Sequence, residues 1–95
     1  MWYNRGMEMI ANGIQLASVL AYNVRRKRRL MRLTQCQLAE RAGITQRVIS
    51  AVESGERWPR PETLAAIASA LETTPATLLT EGAFGPVDQN KIHTS

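Results

Sequence analysis

The dipeptide Thr-Gln occurs twice within a short stretch, at Thr34-Gln35 and at Thr45-Gln46. Threonine is a favoured helix N-cap because its hydroxyl oxygen accepts a hydrogen bond from a free backbone N–H group of the first turn. Those N–H groups and the positive end of the helix dipole attract anions to the same place. A glutamine directly after each cap adds an amide that both donates and accepts. The pattern therefore predicts two adjacent helix N-termini equipped for polar and anionic ligands.

Basic residues are concentrated just before this stretch. The run RRKRR covers residues 25–29, Arg32 follows it, and the whole chain has a net charge of +4 with a pI of about 10.0. Such a balance favours nucleic acid, an anionic membrane or an acidic protein as partner, although a solvated helix face also explains a charge run taken alone. A membrane span is disfavoured because no apolar run approaches the roughly 20 residues that it needs. Binding to a membrane surface would need a free apolar face, and we expect the first helix to pack that face on the core.

Apolar residues recur at helical spacing along most of the chain, and no alternating strand pattern appears. We expect an all-α fold in one domain, which is what 95 residues allow. Residues 1–18 are predicted to be an N-terminal extension: an extra helix, an early start of the first helix, or a mobile arm. The predicted tail, 80–95, contains Gly, Pro and polar residues, and we expect it to be flexible. Between them we expect one helix-turn-helix domain over 19–79. Its helices are predicted at 19–31, 35–42, 46–53 and 61–72, and a last short helix is predicted to begin at Pro75.

The second and third of these helices are separated by little more than Gly43. A capping box is predicted for the second helix, because Gln37 lies three residues after Thr34. Gly43 is suited to the left-handed conformation at the end of that helix, and Ala39 is small enough to let the third helix approach. Two short helices joined in this way form a helix-turn-helix, whose second helix lies in the DNA major groove.

From Leu20 to Leu79 the sequence resembles the lambda repressor/Cro-like, or XRE, helix-turn-helix family. The resemblance is collinear and without gaps. It departs from the family at Arg32, where glycine is common, and at Lys27, where an apolar residue is common. The residues that carry it are Leu20, Val24, Arg28, Thr34-Gln35, Leu38-Ala39, Ala42-Gly43-Ile44, Ile49, Val52-Glu53, Gly55, Arg57, Pro59, Leu64, Ile67-Ala68, Leu71 and Leu78.

The resemblance implies a compact five-helix DNA-binding domain and a sequence-specific transcriptional regulator, with repression as the favoured direction. We expect it to bind double-stranded DNA as a homodimer on an inverted repeat, through the helix at 46–53. The dimer surface is expected between the fourth helix and Leu79. The class of regulator stays open among phage-type repressors, controller proteins of restriction-modification systems and antitoxins.

The family also implies roles for individual residues. Base-reading positions are Gln46, Arg47, Ser50 and Ala51. Glutamine pairs with adenine, arginine pairs with guanine, and Ala51 could contact a thymine methyl group. The expected phosphate contacts are Thr34, Gln35, Thr45, Arg57 and Arg60.

Three further side chains have structural or undecided roles. Arg28 and Glu53 are expected to form an ion pair between the first and third helices, which would orient the third helix. Trp58 has three alternatives: packing against the helices, which is favoured, lying along the DNA sugar-phosphate edge, or joining a dimer interface.

Other classes of function have less support. The alternative function is an antitoxin or other protein-interaction module, in which a terminal segment folds on a toxin or another protein partner. No catalytic set, metal-ligand cluster or cofactor motif appears, so we expect no enzyme, no metal and no cofactor. Cys36 lies in a first helical turn, where a thiol is more reactive, but an incidental thiol is the simpler interpretation. A single cysteine allows no internal disulfide, which fits a reducing cytoplasm. The family resemblance implies that the protein is bacterial or phage-encoded.

Overall fold

The computed structural model describes the backbone of residues 2–85 and the side chains of residues 15–85. Within those residues every regular element is a helix. The predicted all-α fold of five helices is confirmed. The helices are α1 (Trp2–Leu30), α2 (Gln35–Ala42), α3 (Gln46–Glu53), α4 (Pro61–Ala70) and α5 (Pro75–Leu78).

Capping side chains set the limits of α2 and α3, both of which match the predicted ranges. Thr34 Oγ1 accepts from the backbone N–H of Gln37 at 3.0 Å, and Gln37 Oε1 accepts from the backbone N–H of Thr34 at 2.9 Å. Thr45 Oγ1 accepts from the backbone N–H of Val48 at 3.3 Å. Gly43 ends α2 at φ +70°, a conformation that glycine adopts without the penalty of a Cβ atom. The turn between the two helices is therefore fixed at both ends.

One hydrophobic core holds α3 against the other helices. Fully buried side chains come from each helix: Leu20 and Val24 from α1, Leu38 and Ala39 from α2, Ile49 and Val52 from α3, Ile67 and Ala68 from α4, and Leu78 from α5. Burial of the leucine, isoleucine and valine side chains among them contributes roughly 1.5–3 kcal/mol each before the entropy of ordering is counted, and each alanine contributes less. The exposed face of α3 is thus presented on a packed scaffold rather than on a loop.

The first helix is longer than its predicted range of 19–31. It runs without a break from Trp2 to Leu30. Of the three alternatives for the N-terminal extension, the backbone therefore has the early start of the first helix. The predicted domain boundary after residue 18 lies inside this helix. The spacing of Met7, Ile10, Ile14 and Ala17 predicts that they share one helix face, and the first three lie outside the described side chains. Gly6 and Gly13 disfavour a helix locally, but extending an existing helix avoids the unfavourable nucleation step.

Two helices end on residues that are strained at that position. After α1, Arg32 has φ +59°, and after α4, Glu72 has φ +58°. Each occupies the position that glycine has in the turn after α2. Both turns have the paired backbone hydrogen bonds of a Schellman motif. After α1, for example, the N–H of Leu33 donates to the carbonyl oxygen of Arg28, and the N–H of Arg32 donates to that of Arg29. The Glu72 turn also explains why α4 ends at Ala70 and not at the predicted residue 72.

Replacing Arg32 by glycine is expected to raise the free energy of unfolding by about 1 kcal/mol, because a left-handed residue with a Cβ atom costs roughly that amount. The matched control is Arg29→Gly, which removes the same charge from an exposed position inside α1 and should lower stability by about 1 kcal/mol. Urea titration of both variants measures the two shifts. Destabilisation by both substitutions would contradict the strain assigned to Arg32.

A buried asparagine connects α1 to the end of α5. Asn23 Nδ2 donates to the carbonyl oxygens of Leu78 and Thr80, both at 2.8 Å. Beyond α5, Phe84 packs against the core, and the centre of its ring lies 5.6 Å from Lys27 Nζ. The predicted tail, 80–95, therefore begins with residues that contact the domain, and its remaining part, 86–95, lies outside the described residues.

Candidate nucleic-acid interface

A concave surface of about 550 Å³ lies on the exposed side of α3. It brings together all four residues predicted to read bases, along with one predicted phosphate contact from α2 and one from the loop after α3. We call this surface the α3 concavity. Its lining side chains are Gln35, Gln46, Arg47, Ser50, Ala51, Glu56 and Arg57.

Most residues of α3 belong either to this concavity or to the core, while Val48 is partly buried and packs against the core. Ile49 and Val52 are buried, while Gln46, Arg47 and Ser50 are exposed and Ala51 is partly exposed. Gln46 and Arg47 occupy the first turn of the helix and line the concavity. The exposed half of α3 thus offers an amide, a guanidinium, a hydroxyl and a methyl group on one surface. These are the groups that distinguish base pairs in a major groove.

The two capping threonines keep a free donor. The hydroxyl oxygens of Thr34 and Thr45 accept their cap bonds, but a hydroxyl also has one hydrogen to donate. Both residues are exposed at helix N-termini. Capping and a contact to an anionic oxygen are therefore compatible at the same side chain.

Gln35 has a protein partner that its sequence pattern does not indicate. Its Nε2 donates to Glu53 Oε1 at 3.2 Å, which ties the first residue of α2 to the last residue of α3. One amide hydrogen and the amide oxygen remain free of that bond. Gln35 is thus held at the edge of the α3 concavity in one orientation, with polar groups still available to a ligand.

Arg28 and Glu53 form a two-point ion pair between α1 and α3. Arg28 Nε donates to Glu53 Oε2 at 2.7 Å, and Nη2 donates to Oε1 at 3.0 Å. The exposed fraction is 9% for Arg28 and 4% for Glu53. Arg28 Nη1 also donates to the carbonyl oxygen of Leu33 at 2.8 Å. This geometry fixes the C-terminal end of α3 on the long first helix, and Arg28 is not available to a ligand.

A second cation from the basic run also serves the scaffold. Arg25 Nη1 donates to the backbone carbonyl oxygen of Glu53 at 3.2 Å, which stabilises the negative end of the α3 dipole. Arg41, by contrast, makes a 3.5 Å ion pair with Glu72 between two exposed side chains. Such a surface pair contributes little to stability.

The loop that follows α3 carries the remaining predicted contacts. Arg57 and Arg60 are exposed, and Arg60 occupies the N-cap position of α4 without making a side-chain cap bond. Trp58 lies between them with 50% of its surface exposed, so packing against the helices accounts for only part of the side chain. This loop extends the exposed cationic surface from α3 towards α4.

Of the described residues that line the α3 concavity, Glu56 is the one that the sequence pattern does not predict. Its backbone N–H donates to the carbonyl oxygen of Ala51 at 3.0 Å, so its position after α3 is fixed. The side chain is exposed and brings a negative charge to a surface that otherwise carries Arg47 and Arg57. No spacing rule identifies it, because its place depends on the turn that follows Gly55.

Other kinds of site have little support in the part of the chain that is described. Residues 15–85 contain no group of three His, Cys, Asp or Glu side chains that could hold a metal ion. Cys36 is exposed in the first turn of α2. In the part of the chain that the structure describes, no helix combines the length and the hydropathy that a membrane span requires.

Comparison with known proteins gives the same domain. The sequence model of a helix-turn-helix family matches residues 24–78. The control protein C.SmaI of Serratia marcescens is 40% identical over 67 residues, which cover 70% of this chain and 80% of that protein.

Two solved structures have the same arrangement of helices. The DNA-binding domain of the P22 C2 repressor superposes with a TM-score of 0.61 at 30% identity, covering 63% of this chain and 79% of that one. A hypothetical transcription factor from Neisseria, NHTF, gives a TM-score of 0.67 at 28% identity, covering 84% of this chain and 85% of the other. The chain therefore belongs to the lambda repressor/Cro-like, or XRE, helix-turn-helix family of DNA-binding transcription regulators.

Proposed function

We propose that this protein represses transcription by binding an inverted-repeat operator as a homodimer, with α3 as the recognition helix in the major groove. The observation that carries the proposal is the α3 concavity, in which four side chains suited to base pairs share one exposed surface. Phosphate contacts from Thr34, Gln35 and Thr45 on one side and from Arg57 and Arg60 on the other would set the helix in register.

The base-reading roles follow from side-chain chemistry. Gln46 supplies the paired donor and acceptor that match adenine, and Arg47 supplies the paired donors that match guanine. Ser50 donates to or accepts from either kind of base edge, and the methyl group of Ala51 suits the methyl group of thymine. Each good bidentate pair discriminates against the wrong base by roughly 1–3 kcal/mol.

Dimerisation is proposed because one such domain makes a small interface. Single DNA-binding modules bury roughly 600–1,000 Å², near the low end for specific recognition. A second copy on the next half-site doubles that area and gives the operator its two-fold symmetry. We place the dimer surface between α4 and Leu79. Among phage-type repressors, controller proteins and antitoxins, the 40% identity with a control protein favours the second class. Because its partner is DNA, the protein would act in the cytoplasm of a bacterium.

The experiment that tests this function is selection of bound duplexes from a random DNA pool, near physiological salt and with competitor DNA. Enrichment of an inverted repeat with half-sites about one helical turn apart would support a dimeric, sequence-specific regulator. A footprint that reduces transcription from an adjacent promoter would support repression. Binding that depends on salt but enriches no sequence would contradict the proposal, because it would leave only the contribution of phosphate neutralisation.

Because Glu56 brings a negative charge to the α3 concavity, we expect the wild-type protein to bind DNA less tightly than a variant without that charge. Replacing Glu56 by glutamine removes a negative charge that faces the phosphates, and we expect binding to operator and to unrelated DNA to tighten by about two- to fivefold for each half-site. Fluorescence anisotropy with both duplexes at two salt concentrations measures the effect, which should shrink at high salt.

Glu72→Gln is the matched control for this change. It removes the same charge from an exposed residue after α4, outside the lining of the α3 concavity, and should leave affinity nearly unchanged. A change confined to one base pair of the operator would instead identify Glu56 as a base reader, since a carboxylate accepts from cytosine N4.

A further inference from the structure

Trp58 is a large aromatic side chain that is only partly packed against the described part of the fold. Half of its surface is exposed, whereas its neighbour Pro59 is buried. The indole lines a groove of about 300 Å³ between α3 and α4, together with Val48, Arg57, Pro59, Arg60 and Thr63. We call this the Trp58 groove. An exposed aromatic in such a groove is typical of a binding surface.

The Trp58 groove adjoins the proposed DNA-binding surface. Arg57 lines both the groove and the α3 concavity, and Val48 belongs to the recognition helix itself. Among the described residues 15–85, the charged side chains that line the groove are Arg57 and Arg60, and both are cationic. Whatever occupies the groove therefore lies directly beside the DNA and next to two positive charges.

These charges decide between the candidate occupants. A second copy of this chain that met the groove through the same loop would bring Arg57 and Arg60 against their own counterparts, and an apolar protein surface would desolvate both guanidinium groups without pairing them. The DNA backbone presents phosphates for the cations and the carbon–hydrogen edges of deoxyribose for the indole. The tryptophan N–H is in addition a donor for a phosphate oxygen.

We propose that Trp58 is a DNA-backbone contact: its indole packs on deoxyribose between phosphates that bind Arg57 and Arg60, and its Nε1–H donates to a phosphate oxygen. The inference rests on the proposed placement of α3 in the major groove. It adds an apolar, sequence-independent contribution to a surface whose other predicted backbone contacts are polar. Because the contact recognises no base, it should act on operator and unrelated DNA alike.

The direct test uses tryptophan fluorescence. The chain has two tryptophans, so Trp2→Phe leaves Trp58 as the only one. In that background we expect the emission of Trp58 to change on titration with either the selected operator or an unrelated duplex, with midpoints equal to those from anisotropy. An emission spectrum that stays constant while anisotropy reports binding would overturn the proposal.

Substitution gives a second, independent readout. Trp58→Ala should weaken binding to both duplexes by roughly tenfold, an effect expected when apolar area is removed from an interface. The slope of log affinity against log salt should not change, because no cation is removed. Arg57→Ala is the matched variant from the same loop and should reduce that slope. Trp58→Phe keeps an aromatic ring but not the N–H donor, and should fall between wild type and alanine.

Two outcomes would assign Trp58 elsewhere and overturn the proposal. Weaker self-association of Trp58→Ala without DNA, seen by sedimentation, together with unchanged affinity of the dimer for DNA, would place the indole in the dimer interface. A lower Tm with unchanged DNA affinity would make it a packing residue. Both outcomes are distinguishable from failure of the proposed function, in which the wild-type protein itself would enrich no operator.

Discussion

Replacing Arg28 by alanine is expected to lower the free energy of unfolding by about 3–5 kcal/mol, because it leaves the carboxylate of Glu53 buried without its ionic partner. Arg28 donates two hydrogen bonds to that carboxylate, whereas the Gln35 amide donates one. A small domain is stable by roughly 5–15 kcal/mol, so this one change removes a large part of the total. Thermal unfolding by circular dichroism should show a Tm lower by more than about 10 °C.

The neighbouring substitution Arg29→Ala is the control for charge. Arg29 is exposed on the same helix, and its replacement should change stability by less than about 0.5 kcal/mol. The double variant Arg28→Met/Glu53→Leu removes both charges and should recover much of the stability, since a buried ion pair is often no more stabilising than apolar residues of similar volume. Equal Tm values for the Arg28 and Arg29 variants would reassign Arg28 to the general basic surface.

We also expect the Arg28→Ala substitution to weaken DNA binding indirectly. Its partner, Glu53, is the last residue of α3 and holds the Gln35 amide at the edge of the α3 concavity. At a temperature where Arg28→Ala is still folded, we expect weaker operator binding with little change in the salt slope, because Arg28 does not contact phosphate. The same ion pair therefore links the stability of the domain to the position of α3.

The bounds of α2 and α3 could be predicted from the sequence to the exact residue, because short-range capping interactions set them. The limits of α2 and α3 are set by Thr34, Thr45 and Gly43, whose capping and left-handed preferences act over three or four residues. The α4 end could not be found in the same way. It depends on Glu72 in a left-handed conformation that its residue type disfavours, and tertiary packing overrides that preference.

The candidate site was predictable to a similar degree. Side chains of α3 could be assigned to the exposed face because buried Ile49 and Val52 fix the rotation of the helix. Contacts between separate helices could not be assigned from the sequence, because they depend on how the helices pack in three dimensions. Gln35 was expected only as a phosphate contact, yet its amide also bonds Glu53 across the helix-turn-helix. Glu56 reaches the concavity through a turn whose direction no periodicity encodes.

Replacing Arg47 by alanine is expected to weaken binding to the selected operator by about 1–3 kcal/mol for each half-site and to relax the preference at one base pair. Arg47 is exposed in the first turn of α3 and lines the α3 concavity, so its guanidinium is free to make a bidentate contact with guanine. Competition of every single-base operator variant against the parent duplex measures the change at each position. Binding to unrelated DNA should weaken much less.

Arg60→Ala provides the contrast, because it removes the same charge from the N-cap position of α4. We expect it to weaken all duplexes by a similar factor, leave the base preference intact, and reduce the salt slope by about 1 for each phosphate that is no longer neutralised. The two variants thus separate base recognition from phosphate attraction at equal net charge. If both weakened binding equally on every sequence, Arg47 would be a phosphate contact, and specificity would have to come from Gln46, Ser50 and Ala51 or from the shape of the DNA.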